Sequence, residues 1–163
     1  MTYRLEGSCQ CGSVRFTVES HAPYPYQLCY CSICRKTGGA GYAINLSADA
    51  ATLQVQDHDG SKRIHHARLH EDGKTRLSTA ERHFCGRCGS HLWLFSPEWP
   101  ELLHPLASAI DSELPLPPDR VHMMLGSKAG WVRPDIGAKD RRYDEYPELS
   151  IEEWHRRHGL WSD

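Results

Sequence analysis

The chain has 163 residues, of which 39% are hydrophobic and 25% charged, and a formal net charge of −2 with histidine neutral. That length supports one compact domain with a core over residues 1–163, and the charge argues against a nucleic-acid binder that relies on a strongly basic face. The longest apolar stretches, such as Leu92-Trp93-Leu94-Phe95, are too short to span a membrane, and Met1 to Gly7 lacks the apolar segment of a secretory signal, so a cytoplasmic protein without a membrane partner is expected.

In chain order, the first clear element is a strand in which Val14, Phe16 and Val18 alternate with Arg15, Thr17 and Glu19. Before it lies Gly7-Ser8-Cys9-Gln10-Cys11-Gly12, where glycines flank two thiols. His21 to Pro25 is a turn, and Gln27-Leu28 leads into Cys29-Tyr30-Cys31-Ser32-Ile33-Cys34-Arg35. The Gly-rich stretch after Lys36 lacks the strand–GxxxxGK[ST]–helix order of a phosphate loop. Tyr42 to Leu46 reads as a strand, and Leu53 and Val55 mark another.

Asp57 to Ser61 and Glu71-Asp72-Gly73-Lys74 are turns. Ile64 to His70 and Thr75 to Ser78 would pair as a hairpin whose histidines (His58, His65, His66, His70) face solvent. His83 to Ser90 has the form of a zinc knuckle, followed by a strand from His91 to Phe95. Leu102 to Ile110 is a strand interrupted at Pro105, and Val121 to Leu125 is another. Ser150-Ile151-Glu152-Glu153 is a capping box that opens a helix closed by Gly159, the one helix this reading finds. The five tryptophans read as packing residues.

The seven cysteines carry the chemistry. Their number is odd and the expected setting reducing, so metal binding explains them better than disulfides. Cys9/Cys11 and Cys85/Cys88, about 75 residues apart, can form a closed Cys₄ structural site. Spacing leaves the pairing open, since either pair could also join two thiols of the central run. That run, Cys29, Cys31 and Cys34, leaves one coordination position for a thiol, water or carbonyl oxygen. A metal there lowers the pKa of a bound thiol or water, which suits making or breaking a carbon–sulfur bond. The alternatives are a histidine closing the site, or thiols that are partly vacant or redox-active. Tyr30 and Ser32 stand between ligands and are expected at the site or its rim. Arg35 and Lys36 could steer an anionic substrate or simply be a solvated pair.

The pattern Gly7-x-Cys9-x-Cys11-Gly12-x-Val14-x-Phe16, then Cys29-x-Cys31-x-x-Cys34, then Phe84-Cys85-x-x-Cys88-Gly89-Ser90 resembles the glutathione-dependent formaldehyde-activating enzyme family, which includes the centromere-protein-V-like proteins. The resemblance implies a mainly β fold, a zinc-containing β-tent of antiparallel sheets with a short C-terminal helix. It implies two zinc ions per chain: a structural one at Cys9, Cys11, Cys85 and Cys88, and a catalytic-type one at Cys29, Cys31 and Cys34. It implies a carbon–sulfur lyase acting on a small thiol or thiol–aldehyde adduct such as S-hydroxymethylglutathione, with Tyr30, Ser32 and Arg35 as candidate substrate-binding residues. The central run departs from the Cys-Gly-Cys and Cys-Trp-Lys of characterised formaldehyde-activating members at Tyr30 and Arg35, which leaves the substrate open. The competing reading is a non-enzymatic, zinc-stabilised binding module.

Overall fold

The computed structural model describes residues Met1–Asp163. In chain order the strands are β1 (Tyr3–Ser8), β2 (Arg15–Ser20), β3 (Gln27–Cys29), β4 (Ala43–Ile44), β5 (Ala48–Asp49), β6 (Gln54–Gln56), β7 (Lys62–His65), β8 (Arg68–Glu71), β9 (Lys74–Leu77), β10 (Glu81–Cys85), β11 (His91–Phe95), β12 (Leu102–Pro105), β13 (Val121–Met123) and β14 (Arg141–Arg142). Helix α1 (Ser32–Gly38) follows β3, and α2 (Ile151–Arg157) lies near the C-terminus. No helix is long and apolar enough to cross a membrane.

The strands form four sheets, ordered β1-β2-β6, β5-β12-β11-β10-β7, β14-β13-β3-β4 and β8-β9. Pairing is antiparallel except at β13, which runs parallel to both β3 and β14. The mainly β architecture with a short C-terminal helix therefore matches the expectation, with those two parallel pairings added.

The alternation along β2 works as its sequence suggests. Phe16, Val18 and Ser20 are buried while Arg15 is exposed. Leu5, Phe16 and Val18 join Leu46, Leu92, Trp93, Leu103 and Leu106 in one core cluster, where the rings of Phe16 and Trp93 meet edge-on at 5.0 Å. Cys9, Cys29, Cys34 and Cys85 belong to the same cluster, so both groups of thiols border the main core. Burying the apolar positions of these strands is the main favourable contribution to such a fold.

Five expectations change. The segment Ile64 to His70 does not act as one strand: β7 pairs with β10, while β8 pairs with β9 around Asp72 and Gly73. Those two residues have φ of 49° and 73°, the left-handed pair that a two-residue hairpin turn demands. The strand from Leu102 stops at Pro105, and Ala107–Ala109 coils into a 3₁₀ turn. The strands at Tyr42 and Val121 shorten to Ala43–Ile44 and Val121–Met123, the latter stopped by Met124 in the left-handed region at φ of 59°. Finally, α2 is not the sole helix, because α1 begins inside the three-thiol run.

The C-terminal helix forms as its capping box dictates. The Glu153 backbone N–H donates to Ser150 Oγ at 3.1 Å, and the Ser150 N–H donates to the Glu153 carboxylate at 2.8 Å. Gly159 leaves the helix with φ of 66°. Trp154 stacks on Tyr26 at 3.7 Å, which packs this helix against the segment that leads into β3.

Candidate metal centres and their surroundings

The turn after β1 and the turn after β10 build the first centre. Cys9 and Cys11 sit in a tight turn closed by hydrogen bonds from Cys9 N to Val14 O (3.0 Å) and from Gly12 N to Cys9 O (3.1 Å). Cys85 ends β10, and the turn to Cys88 is closed by Gly89 N donating to Cys85 O at 2.8 Å. Gly86 fits because its backbone lies against Ser61 O, which a Cβ would approach to 2.9 Å. Cys9, Cys11, Cys85 and Cys88 all place their sulfurs within 4.8 Å of one another.

The sulfur of Cys11 is 3.6 Å from that of Cys9 and 3.8 Å from that of Cys85. A tetrahedral ion with metal–sulfur bonds near 2.3 Å has sulfurs about 3.8 Å apart, so the donor set and its spacing fit a closed four-thiolate site. The Val14 backbone N–H also donates to Cys9 Sγ at 3.2 Å. Cys11 and Cys88 are exposed, so this cluster touches solvent on one side.

The second centre is built at the junction of β3 and α1. Cys29 is the last residue of β3, in register with Ala43 of β4 and Met123 of β13. Cys31 is the N-cap of α1, with φ −64° and ψ 159°, and its Sγ accepts the Cys34 backbone N–H at 3.3 Å. Cys34 lies in the first turn, and Gly39 ends the helix with φ of 85°. The three sulfurs lie within 4.8 Å of one another, and no histidine, aspartate or glutamate ligand atom joins them. The reading in which a histidine closes this site finds no support here.

Cys29 and Cys34 are buried and Cys31 is half-buried. Hydrogen bonds from Cys29 and Cys34 hold the Cys31 thiol far below its usual range, to about 2. Cys29 is pushed up, first by its bonds to Cys31 and Cys34 and then by burial. Cys34 is also raised: a bond from Cys29 lowers it, but its bond to Cys31 and its burial outweigh that. Of the three, Cys31, the member nearest solvent, is thus the thiol most readily ionised.

The candidate substrate-binding residues separate. Ser32 is exposed at the start of α1. Arg35 is half-buried on the same helix, with its Nε enclosed and unpartnered. Tyr30 does not reach the rim, as its place between two ligands suggested. It is 1% exposed and packs with Leu28 and Val132, apart from the cluster that holds Cys29 and Cys34.

The Tyr30 hydroxyl lies 2.8 Å from His122 Nδ1, and His122 Nε2 lies 2.9 Å from Asp140 Oδ2. Asp140 also accepts backbone N–H groups of Arg120 and Gly137, both at 2.9 Å, and lies 3.4 Å from the Arg120 guanidinium. Burial would raise its carboxyl, but His122, the two amides and Arg120 together hold it at about 2. The ionised carboxylate thus takes the Nε2–H, and in the neutral ring Nδ1 is left to accept the Tyr30 proton. Burial, the first cause, raises the Tyr30 phenol to about 12, which keeps it a donor.

Three residues at or beside this centre carry no short-range sequence signal: His122, Asp140 and Arg82. Arg82 on β10 is 9% exposed and points its guanidinium at Cys34 Sγ (4.0 Å) and Thr37 Oγ1 (3.4 Å). A cleft of about 570 Å³, lined by Trp99, Leu102, His104, Met123 and Tyr146 among others, shares Met123 with the register of Cys29, but none of the three thiols lines it.

Residues 4–126 match the family model described as glutathione-dependent formaldehyde-activating enzyme. Over 157 residues the chain is 59% identical to a Halomonas elongata protein whose name provisionally describes it as a glutathione-dependent formaldehyde-activating enzyme, covering 96% of this chain and 97% of that one. A crystal structure of a Rhodobacter sphaeroides protein aligns with a TM-score of 0.49 and 24% identity, over 69% of this chain and 99% of that one. The chain belongs to the glutathione-dependent formaldehyde-activating enzyme family.

Proposed function

We propose that this protein is a zinc-dependent carbon–sulfur lyase-type enzyme that makes and breaks the bond between a small thiol and an aldehyde, as in S-hydroxymethylglutathione. The observation that carries the reading is the three-thiol group at Cys29, Cys31 and Cys34, with no fourth protein ligand atom beside it. Two ions per chain follow: one held by Cys9, Cys11, Cys85 and Cys88, and one by the three-thiol group. When bound at the latter, a divalent ion supplies Lewis acidity and lowers the pKa of a coordinated thiol.

The chain's own residues do the rest. The turn from β3 into α1 fixes the three sulfurs before substrate arrives, and such preorganisation reduces the reorganisation needed during reaction. Burial of Cys29 and Cys34 excludes water behind them, so substrate meets the centre from the side of Cys31 and Ser32. In this reading the half-buried Arg35 on α1 takes a carboxylate of a peptide-like thiol through the part of its guanidinium beyond the enclosed Nε. In the forward direction the thiol sulfur bonds to the carbonyl carbon, and the thiol proton ends on the carbonyl oxygen; the reverse step breaks the same carbon–sulfur bond. None of the seven cysteines is paired in a disulfide, which suits a reducing cytoplasm, and residues 1–163 act as one domain in this proposal.

The test is a metal count on wild type and Cys34→Ala, paired with an assay of adduct formation from thiol and aldehyde. The expected result is two zinc ions in wild type and one in the variant, with the fold retained and turnover lost. A variant that keeps both ions would overturn the assignment. A wild type with two ions and no turnover on any thiol–aldehyde pair would favour the binding-module reading.

A further inference from the structure

The second centre has an unusual neighbour. Arg82 is buried, yet none of the ion pairs of the fold involves it. A buried guanidinium that lacks a carboxylate needs another anion. What it faces is Cys34 Sγ at 4.0 Å and the Thr37 hydroxyl at 3.4 Å, and Thr37 itself donates to Ile33 O at 2.8 Å. The contact to sulfur is at the long end for an N–H···S bond, so its contribution is mainly charge rather than directed bonding. Next to it, both nitrogens of His91 are buried without partners; burial first, and then the Arg82 charge, push that ring down to about 4. His91 is thus uncharged at neutral pH and does not compete as the local cation.

Charge balance gives this placement a purpose. Three thiolates around a divalent ion carry one net negative charge, and four carry two. The four-thiolate group has two exposed members, so water can solvate its excess charge. The three-thiolate group has two buried members and cannot rely on water to the same degree. One fixed cation beside Cys34 brings the buried group to neutrality, and a fourth, anionic ligand can then enter without building up two uncompensated charges.

We infer that Arg82 is the buried counter-charge of the Cys29–Cys31–Cys34 centre, a positioning residue that sets how tightly the centre holds its ion and lets it accept a thiolate as fourth ligand. The inference rests on the proposal that this group binds a divalent metal. Arg82 acts through Cys34 and does not itself touch substrate.

Zinc competition against a chromophoric chelator, together with the sulfur-to-cobalt charge-transfer bands of the cobalt-substituted protein, tests it. In Arg82→Met, affinity for the second ion should fall by roughly 10- to 100-fold, the range typical of lost outer-shell partners. Binding of the first ion to the otherwise metal-free chain should be unaffected, and the charge-transfer bands of the second should shift. Arg82→Lys, which keeps the charge and loses the planar fork, should restore most of the affinity. If wild type binds two ions and Arg82→Met holds both with unchanged affinity and spectrum, the counter-charge role is overturned while the metal assignment stands. If wild type binds only one ion, the metal assignment itself fails. Should Arg82→Met not fold, Arg82→Lys decides alone: a folded protein that has lost the second ion refutes a role based on charge, and retention of that ion supports it.

Discussion

Replacing Tyr30 by phenylalanine removes a single oxygen from a site that solvent does not reach. In the wild type that oxygen is 2.8 Å from His122 Nδ1, and both residues are almost fully buried, at 1% and 0% exposure. Phenylalanine fills the same space, so no cavity opens, and the effect isolates the hydrogen bond. The imidazole nitrogen loses its donor where water cannot replace it, at a cost of about 1–3 kcal/mol. For a chain of this size, each kcal/mol corresponds to a Tm change of about 2–4 °C. A loss of about 2 kcal/mol should therefore lower the melting temperature by about 4–8 °C, read by circular dichroism on the metal-loaded protein. Asp140→Asn weakens the other end of the same chain of bonds, and the double variant should lose about 0.5–3 kcal/mol less than the sum of the two singles. A Tyr30→Phe protein that melts with the wild type, or strict additivity with Asp140→Asn, would show that the Tyr30–His122–Asp140 chain contributes no coupled stability to the fold.

Two further outcomes can be checked on the same samples. Ser150→Ala removes the hydroxyl that accepts the Glu153 N–H and should cost about 1 kcal/mol in chemical denaturation, with the second metal ion retained. Acid titration should weaken the fold between pH 6.5 and about 4. There the unfolded chain already binds a proton at residue 91, while the folded ring, pushed down by burial to about 4, does not. Stability from this source is complete above pH 6.5, and the loss reaches on the order of 3 kcal/mol below the folded value. His104 and His155, also lowered by burial, add to the slope in the same direction, so His91→Gln should make the pH dependence shallower without flattening it.

The cysteine spacings, the β2 alternation and the Ser150 capping box were legible because each is a short-range pattern with one physical reading. Spacing alone leaves the pairing of Cys9 and Cys11 with Cys85 and Cys88 open, and family resemblance implies it; the sulfur distances group these four. Helix α1 escaped sequence reading because its N-cap is a cysteine rather than Ser, Thr, Asp or Asn, and because Gly38 and Gly39 lie so near its start. Strand β1 carries only a weak pattern: Leu5 and Gly7 alternate inward, but the exposed Arg4 and Glu6 give the segment a polar look. The Tyr30–His122–Asp140 chain joins positions 92 and 18 residues apart, and no local pattern predicts such a link. Arg82 illustrates the same limit: its burial is decided by what packs on β10, not by its neighbours in sequence.

Strand β10 runs from Glu81 to Cys85 and serves two masters: Cys85 at its end belongs to the four-thiol group, and Arg82 near its start faces the three-thiol group. Any displacement of the strand is felt at both ends. As proposed, an ion bound by the first group anchors the end of β10 and thereby holds Arg82 against Cys34, so the two loading equilibria are linked. Linkage is reciprocal, and an ion at the second group must favour the first by the same factor. Zinc titration of the metal-free chain should accordingly fill the two sites more steeply than independent sites would, and Arg82→Met, by cutting that connection, should return the curve to two separate steps.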